Sequence, residues 1–293
     1  MSLHTLVAAT DLSSLSRFTV LRAAMLAQQI GAQLELVHVL DKRELDELQR
    51  LLGEDSKSIE NRIKSQAYEL LIQIAGDIGE PLGVSAGHHL VEGEVLKSIA
   101  SQIDGLNASL LIVGARTNNF IREQILGATA ERLLRMTQCP VLTVKQPPRK
   151  TYQSVLVPID FSPWSLGAIR LAKSVAPQAE LTLLHAYEVP FEDRMRIAGE
   201  NKEAIQSYRD KVQQKADTRL LKTAKDAGIT TNWRPIVVHG NAVQRILEQE
   251  EEQGADLIIL GKHGLGMVEE LLLGSNTRQI LTHVRCDVLI ANR

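Results

Sequence analysis

In the stretch LIILGKHGLGMVEELLLGSNT, residues 257–277, glycines stand where a chain can hold an anion. An apolar run, Leu257 to Leu260, stops at Gly261; Gly264 follows after two residues, and Gly274-Ser275 comes after nine more. A residue without a Cβ lets backbone N–H groups approach a ligand closely and can take positive φ, so Gly261 and Gly264 can shape an anion-binding nest. Gly274-Ser275 opens the helical pattern SNTRQILTHV. Its first-turn N–H groups lack partners inside the helix and carry the positive end of the helix dipole, with the Ser275 hydroxyl as a further donor. Together these residues describe a phosphate cradle. Singly, each has a structural reading: Gly261 as a tight turn, Gly264 as a loop residue, Ser275 as an N-cap. Asp160, in VLVPIDFS, would repel phosphate but can accept from ligand hydroxyl or amino groups; capping the following helix is its structural alternative.

Other chemistries find less support. The histidines are scattered without HxH or HExxH spacing, and His88-His89 in a strand would point to opposite faces, so no protein metal site is expected. Cys139 and Cys286 are too few for a disulfide framework or a zinc cluster and read as small buried apolar residues. The P-loop pattern and the dinucleotide pattern GxGxxG at a first strand are both absent. His263 is the one candidate general base beside the cradle, and its loop position suits a hydrogen-bond donor equally well.

The elements that must position these residues occur twice. At an offset of 147 residues Gly93 falls on Gly240, Gly114 on Gly261, Gly127 on Gly274 and Cys139 on Cys286; after a two-residue shift, LVAATDLS falls on VLVPIDFS. The linker KQPPRK, residues 145–150, separates domains expected at 1–146 and 151–293. In the first copy short apolar runs mark strands over Leu6–Ala9, Leu34–Val39, Val84–Leu90, Leu110–Val113 and Val141–Val144. Helical patterns lie between them: about Ser16–Ile30, one long amphipathic helix over about Glu44–Ala75, about Glu94–Ile103 and Thr129–Met136. Leu45, Leu48, Leu52, Ile63, Leu70 and Ile74 supply the long helix with a core stripe. Strands apolar on both faces alternating with helices specify an α/β fold, two tandem doubly wound parallel five-stranded sheets, with the ligand crevice at the carboxyl ends of the strands.

The spacing G-x2-G-x9-G-[ST] after a fourth strand resembles the nucleotide motif of the universal stress protein family, and VLVPIDFS and CDVLIAN resemble that family's first and last strands. The resemblance runs twice over nearly the whole chain, as in a tandem-type member. It implies an adenine nucleotide alpha hydrolase-like domain that binds ATP, or ADP or AMP, with Mg or Mn accompanying the nucleotide. Pro158, Asp160 and the backbone near Ala186 would take the adenosine end; Gly261, His263, Gly264, Gly274, Ser275 and Asn276 would hold the phosphates. Copies in the family associate through their last strands, so Val141–Val144 and Val288–Ala291 are expected to pair within the chain as a pseudo-dimer, with a further homodimer left open.

The first copy departs from the motif. Thr117 replaces the second glycine, Ala128 the serine, and Glu131 stands where Arg278 stands in the second copy, putting a negative charge where an anion would dock. The expected function is therefore a stress-response regulatory protein that binds ATP in its C-terminal domain. A slow ATPase or self-phosphorylating enzyme is one alternative; an apolar or acyl ligand in the N-terminal domain is another. A chain of 293 residues, 44% apolar and 23% charged, with a formal charge of −2 and no basic patch, is not expected to bind nucleic acid. No run reaches the roughly 20 apolar residues of a membrane span, and no signal-peptide pattern opens the sequence, so a cytoplasmic protein without membrane contact is expected.

Overall fold

The computed structural model describes residues 3–53, 56–115, 127–262 and 274–292. The chain forms two compact units, Met1–Thr151 with Asp287–Asn292, and Tyr152–Cys286.

In the first unit, parallel strands β1 (Thr5–Ala9), β2 (Gln33–Asp41), β3 (Ala86–Gly93), β4 (Leu110–Gly114) and β5 (Val141–Val144) alternate with helices α1 (Ser16–Ile30), α2 (Lys42–Leu52), α3 (Ser56–Gly79), α4 (Val95–Gly105) and α5 (Ala128–Met136). The strand order is β3-β2-β1-β4-β5. The central strands are covered on both faces, Leu6, Val7 and Ala8 being wholly buried with Leu110, Leu111 and Ile112 beside them, as the unbroken apolar runs required. The last strand of the second sequence repeat, Asp287–Ala291, lies in this unit and runs antiparallel to β5, with Val288 opposite Thr143 and Ile290 opposite Val141. Asp287 is fixed there by a buried ion pair with Arg22, Nε to Oδ2 3.2 Å, and by the Lys145 N–H, which donates to Oδ1 at 2.8 Å.

The expected single helix over Glu44–Ala75 is two helices. Gly53 ends α2 with φ 59° and ψ −130°, a conformation that a side chain opposes. The core stripe of α3 is Ala67, Leu71, Ile74 and Ile78, whereas Leu70 and Leu52 are exposed and Leu48 is half-buried. Of the expected stripe, Leu45 and Ile74 are buried and Ile63 is half-buried; the apolar residues of this region exceed what one buried face can take, so periodicity alone did not separate Ala67, Leu71 and Ile78 from Leu52 and Leu70. The third strand also begins two residues later than expected and continues to Gly93.

The second unit repeats the plan with β6 (Ser154–Pro158), α6 (Pro163–Val175), β7 (Glu180–Tyr187), α7 (Glu192–Ile197), α8 (Lys202–Asp226), β8 (Trp233–His239), α9 (Ala242–Gln253), β9 (Leu257–Gly261) and α10 (Ser275–His283). The Asp287–Ala291 strand is β10 in chain order. Parallel strands β9-β6-β7-β8 make the sheet of this unit. Strand order reverses between β6 and β9, so the ends of these two strands bound the crevice where a doubly wound sheet accepts ligands.

Candidate functional site

A cleft of about 460 Å³ opens at that reversal point. Pro158 ends β6, Asp160 follows in the turn to α6, Ala186 sits near the end of β7, and Gly261 ends β9. Gly274 precedes α10, and Ser275 and Asn276 are its first two residues. All seven line the cleft, so positions more than a hundred residues apart in sequence meet at one place. His263 and Gly264 lie outside the described residues, as does Thr117 of the first repeat.

Two chemically different polar features line the cleft. In one, α10 begins without a side-chain cap, and its first backbone bond is donated by Arg278 to the Gly274 carbonyl at 2.9 Å. The N–H groups of Ser275, Asn276 and Thr277 precede that bond in the helix and present donors and the positive dipole end. The neighbouring helix α9, whose Ala242 also lines the cleft, is different: the Asn241 side chain accepts from Val243 N at 3.1 Å and Gln244 N at 3.2 Å, which closes that terminus.

The other is Asp160, a carboxylate. Its Oδ1 accepts from Ser162 N at 2.9 Å and from Ser165 Oγ at 2.8 Å, so the residue both shapes the start of α6 and lines the cleft. The turn is held from outside by Phe161, at φ 61°, whose ring centroid lies 4.3 Å from that of His185 and 4.3 Å beneath the Arg219 guanidinium. His185 Nδ1 is 2.7 Å from the Ile159 carbonyl, which can only accept, so Nδ1 carries the hydrogen. Burial pushes the His185 pKa below its ordinary value and keeps the ring neutral at pH 7. The first repeat reproduces this contact with His38 and the Thr10 carbonyl at 2.8 Å, and burial lowers that pKa too.

The lining also has an apolar part, from Ile159, Leu184, Ile246, Leu260 and Ile280, which suits a flat ring. Sequence reasoning had not marked these residues, nor Ser162 and Ser165. Their signal was present in the D-x-S-x-x-S spacing after β6 and in Ile246 and Ile280 on the apolar faces of α9 and α10, but it coincides with ordinary core and capping patterns.

The corresponding terminus in the first unit is built differently. Gly127 N donates to the Ala115 carbonyl at 2.8 Å, Ala128 offers no hydroxyl, and Glu131 pairs with Arg135 at 2.6 Å along α5. The negative charge expected there is thus balanced by a cation one turn on rather than standing alone.

The family model described as "Universal stress protein family" matches residues 2–145 and again 151–292. Universal stress protein Rv1996 of Mycobacterium tuberculosis is 24% identical over 85% of this chain and 76% of its own. The crystal structure of a universal stress protein from Archaeoglobus fulgidus shares the fold over 98% of this chain and 97% of its own, with a TM-score of 0.69 at 22% identity. A further structure, a universal stress protein in complex with cAMP, is 22% identical over 50% of this chain and 100% of its own, with a TM-score of 0.39.

Proposed function

The chain belongs to the universal stress protein family, and from that premise we propose that its C-terminal repeat is a regulatory module that binds one adenine nucleotide, ATP or its ADP or AMP form. The observation that carries this reading is the make-up of one cleft: an uncapped helix N-terminus at α10, the Asp160 carboxylate and apolar side chains all line it. The phosphates would lie against Gly261, Gly274, Ser275 and Asn276, completed by His263 and Gly264; ribose and base would lie toward Asp160, Pro158 and Ala186. The residues present fit such a ligand. The α10 donors match an anion, and the apolar side chains accept the faces of a ring.

A Mg or Mn ion would reach this site on the phosphate oxygens of the nucleotide. Among the described residues no group of three His, Cys, Asp or Glu could hold an ion by itself. Asp160 is the single carboxylate lining the cleft among the described residues, and its Oδ1 is already used by Ser162 and Ser165. A residue so engaged is a poor general base, so nucleotide hydrolysis should be slow against the usual enzyme turnover of about 10 s⁻¹. Within the first unit, β5 pairs antiparallel with β10, the last strand of the second sequence repeat. No helix among the described residues is long and apolar enough to cross a membrane.

The test makes the second repeat resemble the first at α10. Ser275→Ala with Arg278→Glu should weaken ATP binding at least about tenfold, since one charge-assisted hydrogen bond is worth about 1.5–3 kcal/mol, while circular dichroism and melting remain those of the native fold. Retained affinity in this double variant would refute the placement of phosphate at α10.

A further inference from the structure

The turn that carries Asp160 leaves one buried hydroxyl unused. Ser162, at the N-terminal boundary of α6, is 5% exposed and lines the cleft, and its Oγ has no hydrogen-bond partner among the described residues. A serine at this boundary ordinarily turns its hydroxyl to the first N–H groups of the helix. No such bond is made at α6. Pro163 occupies the first helical position and has no N–H to offer, and Ser165 N donates to the Ser162 carbonyl instead, at 3.1 Å.

The first repeat supplies an internal comparison with the same D-x-S-x-x-S spacing at Asp11, Ser13 and Ser16. There Ser13 Oγ accepts from Ser16 N at 3.2 Å, and Ser16 Oγ pairs with Thr10 Oγ1 at 2.8 Å. In the second repeat Ile159 stands in place of Thr10, so Ser165 Oγ turns to Asp160 and the capping role of the first serine is lost. Ser13 is only half-buried, whereas Ser162 is enclosed. A buried hydroxyl without a partner lowers stability; Ser162 Oγ is closed to solvent where it stands, and a turn about its Cα–Cβ bond to another staggered position would carry it toward the cleft that the residue lines, where a ligand would restore the missing bond.

We propose that Ser162 Oγ is a ligand contact, and that it bonds a sugar hydroxyl and makes the cleft select ribose over deoxyribose. The inference rests on the adenine nucleotide reading above and adds a specificity to it. The chemistry of the turn decides between sugar and phosphate. Asp160 Oδ1 accepts from the backbone N–H of the same serine, so this turn is negative and acceptor-rich and repels phosphate. A sugar hydroxyl suits it, because it can donate to one oxygen and accept from another.

The experiment is calorimetric titration of the full chain and of Ser162→Ala with ATP, 2′-deoxy-ATP and 3′-deoxy-ATP, together with melting of both proteins without nucleotide. The wild-type chain is expected to bind at least one deoxy analogue about fivefold more weakly than ATP, the worth of one neutral hydrogen bond. Ser162→Ala should bind ATP about fivefold more weakly, bind that analogue as well as it binds ATP, and melt no lower than wild type, because the change removes an unpaired group rather than a cap. Unchanged ATP affinity or unchanged discrimination in the variant, with ATP still bound by the wild-type chain, overturns the role of Ser162 alone. A wild-type chain that binds no adenine nucleotide overturns the reading on which it rests and this inference with it.

Discussion

Single residues in this chain change meaning with what surrounds them. Asp160 could be read as a ligand acceptor or as a helix cap; its oxygen bonds at the start of α6 while the residue lines the cleft, so the two readings were never exclusive. Ser162 could not be read at all, because its availability depends on Pro163 and Ile159, each of which is unremarkable alone. The cysteines, expected as small buried apolar residues, divide: Cys286 is buried and Cys139 is half-buried. Cys139 Sγ donates to the Pro140 carbonyl at 3.1 Å, and desolvation of the thiol pushes its pKa up to about 12. Reaction with iodoacetamide at pH 8 should therefore be much slower in the native chain than in urea; equal rates would contradict the burial. Because the folded pKa lies above the unfolded value of about 9, this thiol's contribution to stability is complete below pH 9 and is lost as pH rises toward 12.

At the scale of elements, strands were legible because buried parallel strands are written as unbroken apolar runs. The long helices were less so. Gly53 sits inside a pattern that otherwise reads as helix, and glycine inside such a pattern is tolerated often enough that it does not announce a break. Its conformation does: Gly53→Ala should lower unfolding stability by about 1–3 kcal/mol, measured by urea titration, and an unchanged midpoint would show that α2 can end otherwise. A larger loss is expected at Asp287. Its side chain and that of Arg22 are 2% and 7% exposed, and Arg22 Nη1 also donates to the Lys150 carbonyl at 2.9 Å. Asp287→Ala leaves a buried guanidinium without its carboxylate and should lower the stability of the first unit by about 3–5 kcal/mol, with Asp287→Asn retaining part of it. A loss below about 1 kcal/mol by the same titration would mean that water already screens the pair.

At the scale of the molecule, duplication makes the chain its own control. Both repeats fold to the same succession of strands and helices, and both carry a histidine at the end of the second strand bonded to a neighbouring carbonyl. The repeats differ where phosphate chemistry would be done: Ser275 and Arg278 in the first turn of α10, Ala128 and Glu131 in that of α5. That asymmetry was legible in the sequence because the substitutions act in one direction at aligned positions. The participation of α9 and of the apolar wall was not, since their residues meet the glycines only through the strand order. The central claim is that one repeat binds an adenine nucleotide and the other does not. Calorimetric titration of the intact, nucleotide-free chain with ATP tests it most directly: a single binding event of one nucleotide per chain is the predicted result, and two equivalent sites, or none, would contradict it.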